Sequence, residues 1–307
     1  MKVSVIIPCF NVEQYVEECI NSVLKQDHNE IEITCIDNNS TDKTFEIIQR
    51  IQEHNSLVQV IKENNQGSCF ARNAGIEVAN GEYLQFLDAD DVLLPDKIKH
   101  QVSLANLLDD KPAVVAGDYY RVDLSKNKKS ILSEKKDVWL GLLKTRLGIT
   151  SSNLWNKKKL IESGGWNSFY SSSQEYELLF RLLKRNEKII FDDQLNALVR
   201  DRKTSISSGN LKRNWTTYCT LRHEIINYIV AKKINPSKHN TYYQVLFDSI
   251  RTLYKYDKPA SLKFYAEFIP KNFAPQVSDS TTRSYINAYN LVGFKATQEM
   301  KELLKTQ

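Results

Sequence analysis

Cysteine is scarce in this chain, and its placement is uninformative. Five cysteines in 307 residues, Cys9, Cys19, Cys35, Cys69 and Cys219, are scattered and odd in number, with no CxxC pair. That spacing indicates neither a zinc site nor a disulfide framework. It fits small core residues in a reducing compartment. Long apolar runs are missing too: none approaches the roughly 20 residues that span a bilayer. The opening VSVIIPCF is too short for a signal-peptide core with its flanks and reads as a strand. A cytoplasmic protein is expected. No GxGxxG follows that first strand, so the dinucleotide-binding fingerprint is absent. There is no internal repeat and no low-complexity segment, and no nucleic-acid partner is expected.

What is present is ordinary in bulk and uneven in distribution. Hydrophobic content of 41% and charged content of 26% are those of a globular protein able to bury a sizeable core. The net charge of +5 hides an asymmetry: residues 201–307 carry 17 Lys/Arg against 8 Asp/Glu, and nine of the 15 tyrosines. The rest of the chain is net acidic. The change in chemistry places a boundary near 207–209, giving a first domain over 1–208 and a helical extension over 209–307.

In the first domain, apolar β-branched runs alternate with helical patterns. Residues 3–7, 31–36, 57–61 and 83–87 read as strands. Between them, 12–26 carries Val16, Cys19, Ile20, Val23 and Leu24 at helical spacing,. A second helix is lined by Phe45, Ile47, Ile48 and Ile51, with Ser40 and Asp42 as caps. A third covers 68–78. Alternation at this spacing implies right-handed βαβ units and a mostly parallel sheet flanked by helices. Further on, the pattern predicts a helix from Pro95 to about residue 108, a strand over 113–122 and a polar, lysine-rich loop over 125–136. Short elements follow to residue 161, and Gly164-Gly165-Trp166 breaks the pattern. An amphipathic helix over 174–186 and two strands, 188–191 and 195–200, complete the domain.

The stretch that organises the rest is GEYLQFLDADD, residues 81–91. A buried strand runs straight into Asp88, Asp90 and Asp91. One pair of carboxylates about 4 Å apart costs on the order of 4 kcal/mol at an effective dielectric near 20. A divalent cation reverses that sign, and hard cations such as Mn²⁺ or Mg²⁺ take oxygen ligands shared with substrate phosphates. An acidic turn capping the next helix would look the same. Three other features fall at the same predicted sheet edge, where ligands of open α/β sheets bind. Pro8-Cys9-Phe10-Asn11 offers an aromatic and an amide for a planar base, or an ordinary strand-to-helix turn. Asp37-Asn38-Asn39-Ser40 offers partners for a base edge or ribose, or a capping turn. Asn65-Gln66-Gly67 with Arg72-Asn73 offers a guanidinium fork for phosphate or base oxygens, or a surface salt bridge. Together they suggest a base–ribose–diphosphate–metal path. Glu175, at the start of an amphipathic helix, is a candidate general base, although helix dipoles favour a carboxylate there in any case.

The segments SVIIPCFN, IDNNSTDKT, NNQGSCFARNAGIEVANGEYLQFLDADD, GGW followed by QEYELLFRLL, and ALVRDRKTSIS together resemble glycosyltransferase family 2. These are inverting enzymes of the GT-A nucleotide-diphospho-sugar transferase fold. The resemblance covers about residues 2–207. It implies a nucleotide-sugar pocket made by Pro8, Phe10, Asn11, Asp37, Asn38, Asn65, Gly67 and Arg72, with Asp88, Ala89 and Asp91 towards the ribose and sugar. Asp90, with Asp88, would bind Mn²⁺ or Mg²⁺. Glu175 would deprotonate an acceptor hydroxyl, Trp166 would stack on the acceptor, and Arg200 and Arg202 would meet the diphosphate. Three positions depart from the family pattern. Asn38 replaces an aspartate that commonly contacts uracil, Gln174-Glu175 replaces Glu-Asp, and Arg202 replaces a histidine. The implied reaction moves a single sugar, from a UDP-sugar by preference, to a glycan or lipid-linked acceptor in surface polysaccharide or lipopolysaccharide synthesis. The basic, tyrosine-rich extension would rest on the inner face of the cell membrane or form a homo-oligomer. A catalytically silent nucleotide- or glycan-binding module and a sugar-nucleotide pyrophosphorylase are the alternative readings.

Overall fold

Four short runs, three of them rich in β-branched residues, build the first layer. They are β1 (Val3–Cys9), β2 (Ile31–Asp37), β3 (Val58–Lys62) and β4 (Tyr83–Phe86). Each is joined to the next by a helix: α1 (Val16–Leu24), α2 (Thr44–His54) and α3 (Ser68–Val78). The strands pair in parallel in the order β3-β2-β1-β4. The structure, a computed structural model, describes residues 1–202 and 209–304.

Alternation along each strand decides which helix covers which face. Val3, Val5, Ile7 and Cys9 turn to one side, with Val16, Cys19 and Ile20 of α1 and Ile48 of α2. On the other side, Ile6 and Ile36 meet α3 at Gly75, where a Cβ would come within 2.4 Å of Ile6 Cγ2. Only glycine lets that helix lie so close to the sheet.

Beyond β4 the sheet changes character. The elements are β5 (Val92–Leu93), α4 (Lys97–Asn106), β6 (Val114–Val122), β7 (Lys128–Ile131), α5 (Val138–Leu143), β8 (Leu154–Asn156), α6 (Lys157–Glu162), α7 (Gln174–Lys184) and β9 (Ile189–Arg200). The order continues β4-β8-β6-β9-β5, with β7 on β6. Only β6 and β9 pair in parallel there; β4–β8, β6–β8, β5–β9 and β6–β7 are antiparallel. The sheet is therefore parallel along most of its paired length, as expected, and mixed beyond β4, where antiparallel ladders join it,.

Two corrections share one cause: exposed or one-sided elements lack the apolar period that marks buried ones. The polar run over 125–136 contains β7, an edge strand. The two strands expected over 188–200 are one, β9, which passes β6 through register shifts at Asp118. Ser40 does not cap α2; its Oγ accepts from Asn11 N at 3.2 Å, while Asp42 takes the Thr44 N–H at 3.0 Å.

The chain divides into two compact units, Met1–Lys203 and Thr204–Gln307. In the second, the secondary structure of the described residues is helical. The helices are α8 (Leu211–Ala231), α9 (His239–Leu253), α10 (Lys258–Phe268) and α11 (Arg283–Leu303), with a 3₁₀ turn at Pro236–Lys238. Asn210, Asp257 and Thr282 cap α8, α10 and α11 through their side chains,. Phe247 centres an aromatic cluster with Tyr265, Phe273, Tyr285, Tyr289 and Phe294. No helix among the described residues is long and apolar enough to cross a membrane.

Candidate active site

Register carries the four sequence features to one edge. Cys9 pairs with Asp37 and Asp37 with Lys62, so the first three strands end level, while Ile6 pairs with Phe86. Asp88 follows two residues after β4. The turns leaving these strands are tied to each other. Asn11, held at φ 50°, accepts the Thr41 N–H on Oδ1 at 2.8 Å. Asn38 N donates to Cys9 O at 2.8 Å.

The Asn38 side chain is buried and used internally. Its amide donates to the Glu63 and Asn65 carbonyls at 2.8 and 2.7 Å, and its Oδ1 accepts from Gly67 N at 2.7 Å. Three bonds to one loop brace this amide facing inward. Asp37 contrasts with it. Its carboxylate is buried at the end of β2, and Oδ1 has no hydrogen-bond partner. Phe10 stands 48% exposed beside half-buried Pro8. Asn65 is exposed, with its amide on Glu63 Oε1 at 2.9 Å. Gly67 enters α3 at φ 140°, open only to glycine,.

Arg72 is the hub of the site, not a free phosphate fork. It is buried, with Nη1 on Gln174 Oε1 and Nη2 on Asp88 Oδ1, both at 2.8 Å. Its guanidinium lies 4.6 Å from the Trp166 ring. Gln174 Oε1 also accepts from Ser68 Oγ at 3.0 Å. Trp166 itself is 2% exposed and packs edge-on against Phe86 at 5.1 Å and beside Trp155 at 5.7 Å. The ring is core, and the Asn73 amide bonds the Trp166 backbone at both N and O.

The acidic turn splits into three environments. Asp88 is partly open and held by Arg72. Asp90 pairs with Arg202, Nε to Oδ2 at 2.5 Å; burial and then the Asp88 charge raise its pKa, and Arg202 opposes them. Asp91 is buried, accepting from Ser151 Oγ at 2.6 Å and from Arg200 N at 3.0 Å. Burial, then the charges of Asp90 and Asp88, push its carboxyl well above the usual range. It braces β9 against Ser151, and Ala89 is buried with it. Ser151, which also accepts from Asp88 N at 3.2 Å, was not singled out in the sequence: nothing in a run of small polar residues marks it.

β9 delivers the arginines. It pairs with β5, which leaves the acidic turn directly. Arg200 Nη1 reaches Asp90 O at 3.2 Å and Nη2 reaches Glu18 at 2.6 Å. The Arg202 guanidinium lies 5.6 Å from the Tyr15 ring. Glu175 sits in the first turn of α7, half-buried, with no side-chain bond or ion pair to another described residue. Burial raises its pKa, Arg72 pulls it back, and Asp88 adds to the rise.

Among the described residues, no group of three or more His, Cys, Asp or Glu forms a ready cage for a metal. The donors suit a shared site instead. Arg72 takes Oδ1 of Asp88 and Arg202 takes Oδ2 of Asp90, which leaves the second oxygen of each for a hard cation completed by phosphate oxygens.

A βα layer ending in this acidic turn, extended by a mixed sheet, is the GT-A fold of nucleotide-sugar transferases. The family model for glycosyl transferase family 2 matches residues 4–174, and the chain belongs to that family of glycosyltransferases. A protein of Haemophilus influenzae named an uncharacterized glycosyltransferase is 31% identical over 233 residues, covering 74% of this chain and 90% of that one. One of Rickettsia conorii is 30% identical over 228 residues, covering 71% of this chain but only 37% of the relative. S. aureus TarS 1–349, solved with UDP-GlcNAc, matches with a TM-score of 0.71 at 17% identity, over 99% of this chain and 92% of that one. The Pyrobaculum calidifontis mannosyltransferase PcManGT, solved with GDP-Man and Mn²⁺, matches with a TM-score of 0.56 at 15% identity, over 97% and 82%. At these identities the structural likeness is one of fold.

Proposed function

We propose that the chain is an inverting, metal-dependent glycosyltransferase that moves one sugar from a UDP-sugar to a glycan or lipid-linked acceptor in surface-glycan synthesis. The observation that carries this reading is Glu175: a half-buried carboxylate with no side-chain partner among the other described residues, raised in pKa, on the helix that Arg72 ties to Asp88. A general base needs a free acceptor and a pKa shifted towards working pH.

In this reading the base sits against Phe10 and Pro8, and Asp37 Oδ1, buried without a donor, takes an N–H of the base or a ribose hydroxyl. Asp88 and Asp90 would hold the cation, which would supply positive charge to the departing nucleoside diphosphate. Glu175 takes the proton of the acceptor hydroxyl. The oxygen forms its bond to the anomeric carbon from the face opposite the diphosphate. The bond from that carbon to the diphosphate oxygen breaks, and the configuration inverts. Gln174 and Arg72 keep Glu175 and Asp88 in fixed relation. The basic, tyrosine-rich second unit is assigned to an anionic membrane face, where cosedimentation with anionic but not neutral vesicles is expected.

The deciding experiment is donor turnover. Protein is incubated with UDP-, GDP- and dTDP-sugars, with Mn²⁺ or EDTA, and released nucleoside diphosphate is measured. Slow, Mn²⁺-dependent release from one UDP-sugar is expected. Release that persists in EDTA overturns the metal dependence. Release from a GDP- or dTDP-sugar alone overturns the UDP assignment. Mn²⁺-dependent binding of UDP with no turnover of any donor or acceptor favours a silent binding module.

A further inference from the structure

Arg202 is placed where a cation site has no evident use for it. Its Nε lies 2.5 Å from Asp90 Oδ2, and both side chains are largely buried, at 22% and 14% exposure. The other arginine of the pair, Arg200, is committed elsewhere: Nη2 to Glu18 at 2.6 Å and Nη1 to the Asp90 carbonyl at 3.2 Å. The Arg72 charge is taken up by Asp88. Arg202 is thus the positive charge facing the Asp90 carboxylate itself, backed by the Tyr15 ring at 5.6 Å.

We infer that Arg202 makes the divalent cation and the nucleoside diphosphate enter the site together: it opposes the cation alone and favours the cation with the diphosphate. This rests on the metal-dependent reading above. A bare divalent cation arriving at Asp90 meets a guanidinium already paired with the same carboxylate. Two positive charges so close, in a site partly closed to water, repel strongly. A diphosphate changes the sign. It carries negative charge to the same place, and a guanidinium fork suits phosphate oxygens. Arg202 can then leave Asp90 to the cation and pair with the diphosphate. An Asp90 without this neighbour would bind metal irrespective of nucleotide.

The test is Mn²⁺ binding to the full chain, read from the EPR signal of free Mn²⁺, with and without saturating UDP. Wild type is compared with Arg202→Met and Arg202→Lys. Without UDP, Arg202→Met is expected to bind Mn²⁺ about tenfold more tightly than wild type, since a screened charge–charge term of this size is lost. With UDP it is expected to bind about tenfold less tightly. Arg202→Lys keeps the charge, and its Mn²⁺ affinity without UDP stays within about threefold of wild type. The reversal of sign protects the test from misfolding, because a damaged site does not gain affinity. Wild type that binds Mn²⁺ with UDP while Arg202→Met is unchanged, or weaker in both conditions, overturns this inference alone. Wild type that takes up no Mn²⁺ even with UDP overturns it together with the metal-dependent reading.

Discussion

At the scale of single residues, the site works by separating carboxylates that lie close together in sequence. Asp88 is neutralised by Arg72, Asp90 by Arg202, and Asp91 is withdrawn into bonds from Ser151 and Arg200. Glu175 has no such partner among the described residues. Glu175→Gln keeps shape and removes the proton acceptor, so turnover is expected to fall about 10²- to 10⁴-fold. UDP affinity, measured by calorimetry with Mn²⁺, is expected to stay within about threefold. The pH profile follows from the same group. Its folded pKa is raised above the 4.5 of a free glutamate, chiefly by burial. The base must be ionised, so kcat/KM rises with pH through that raised value. The acid limb therefore lies above 4.5, and a limb centred at or below it contradicts the assignment.

At the scale of elements, α3 and the segment before α7 hold the site's geometry. Gly75 of α3 has a Cβ position 2.4 Å from Ile6 Cγ2 and 3.0 Å from Ile36 Cδ1. Alanine favours a helix over glycine by about 1 kcal/mol, but the overlap falls on branched side chains of two central strands. Gly75→Ala is expected to be destabilising by about 1–2 kcal/mol, visible as a lowered urea midpoint. Trp166→Ala empties the space between Phe86, Trp155 and Arg72, at a cost of about 3–5 kcal/mol. It also frees Arg72, so UDP–Mn²⁺ affinity is expected to fall with stability. A variant that stays fully stable but loses acceptor affinity restores Trp166 to the acceptor. These elements differ in how legible they were. The helix over 68–78 and the strands before it are covered on one or both faces, so their apolar periods are complete. β5, two residues long, and β7, on an edge, bury too little to leave a period. The site residues were legible as a set, because strand ends in a parallel layer must meet at one edge. What each side chain touches was not. Whether Arg72, Asn38 or Trp166 points at a ligand or at a neighbour depends on side-chain direction and on loop contacts from 100 residues away, such as Gln174 on Arg72.

At the scale of the molecule, the chain's two units have separate cores and opposite charge. The first holds every residue assigned here to nucleotide, cation and base. Its sheet buries an unbroken apolar layer from Val3 to Ala197. The second has its own centre at Phe247 and its own capped helices. A domain with a complete core folds alone when no essential apolar surface is left open. Residues 1–208, expressed alone, are therefore expected to unfold in one cooperative urea transition and to bind UDP with Mn²⁺ within about threefold of the full chain. Anionic vesicle binding is expected to disappear from that fragment, because the excess of Lys/Arg over Asp/Glu lies in residues 201–307. A fragment that folds yet binds no UDP assigns part of the donor site to residues 209–307. A fragment that folds, binds UDP and still binds vesicles moves the membrane contact onto the first unit, where the basic extension has no part in it.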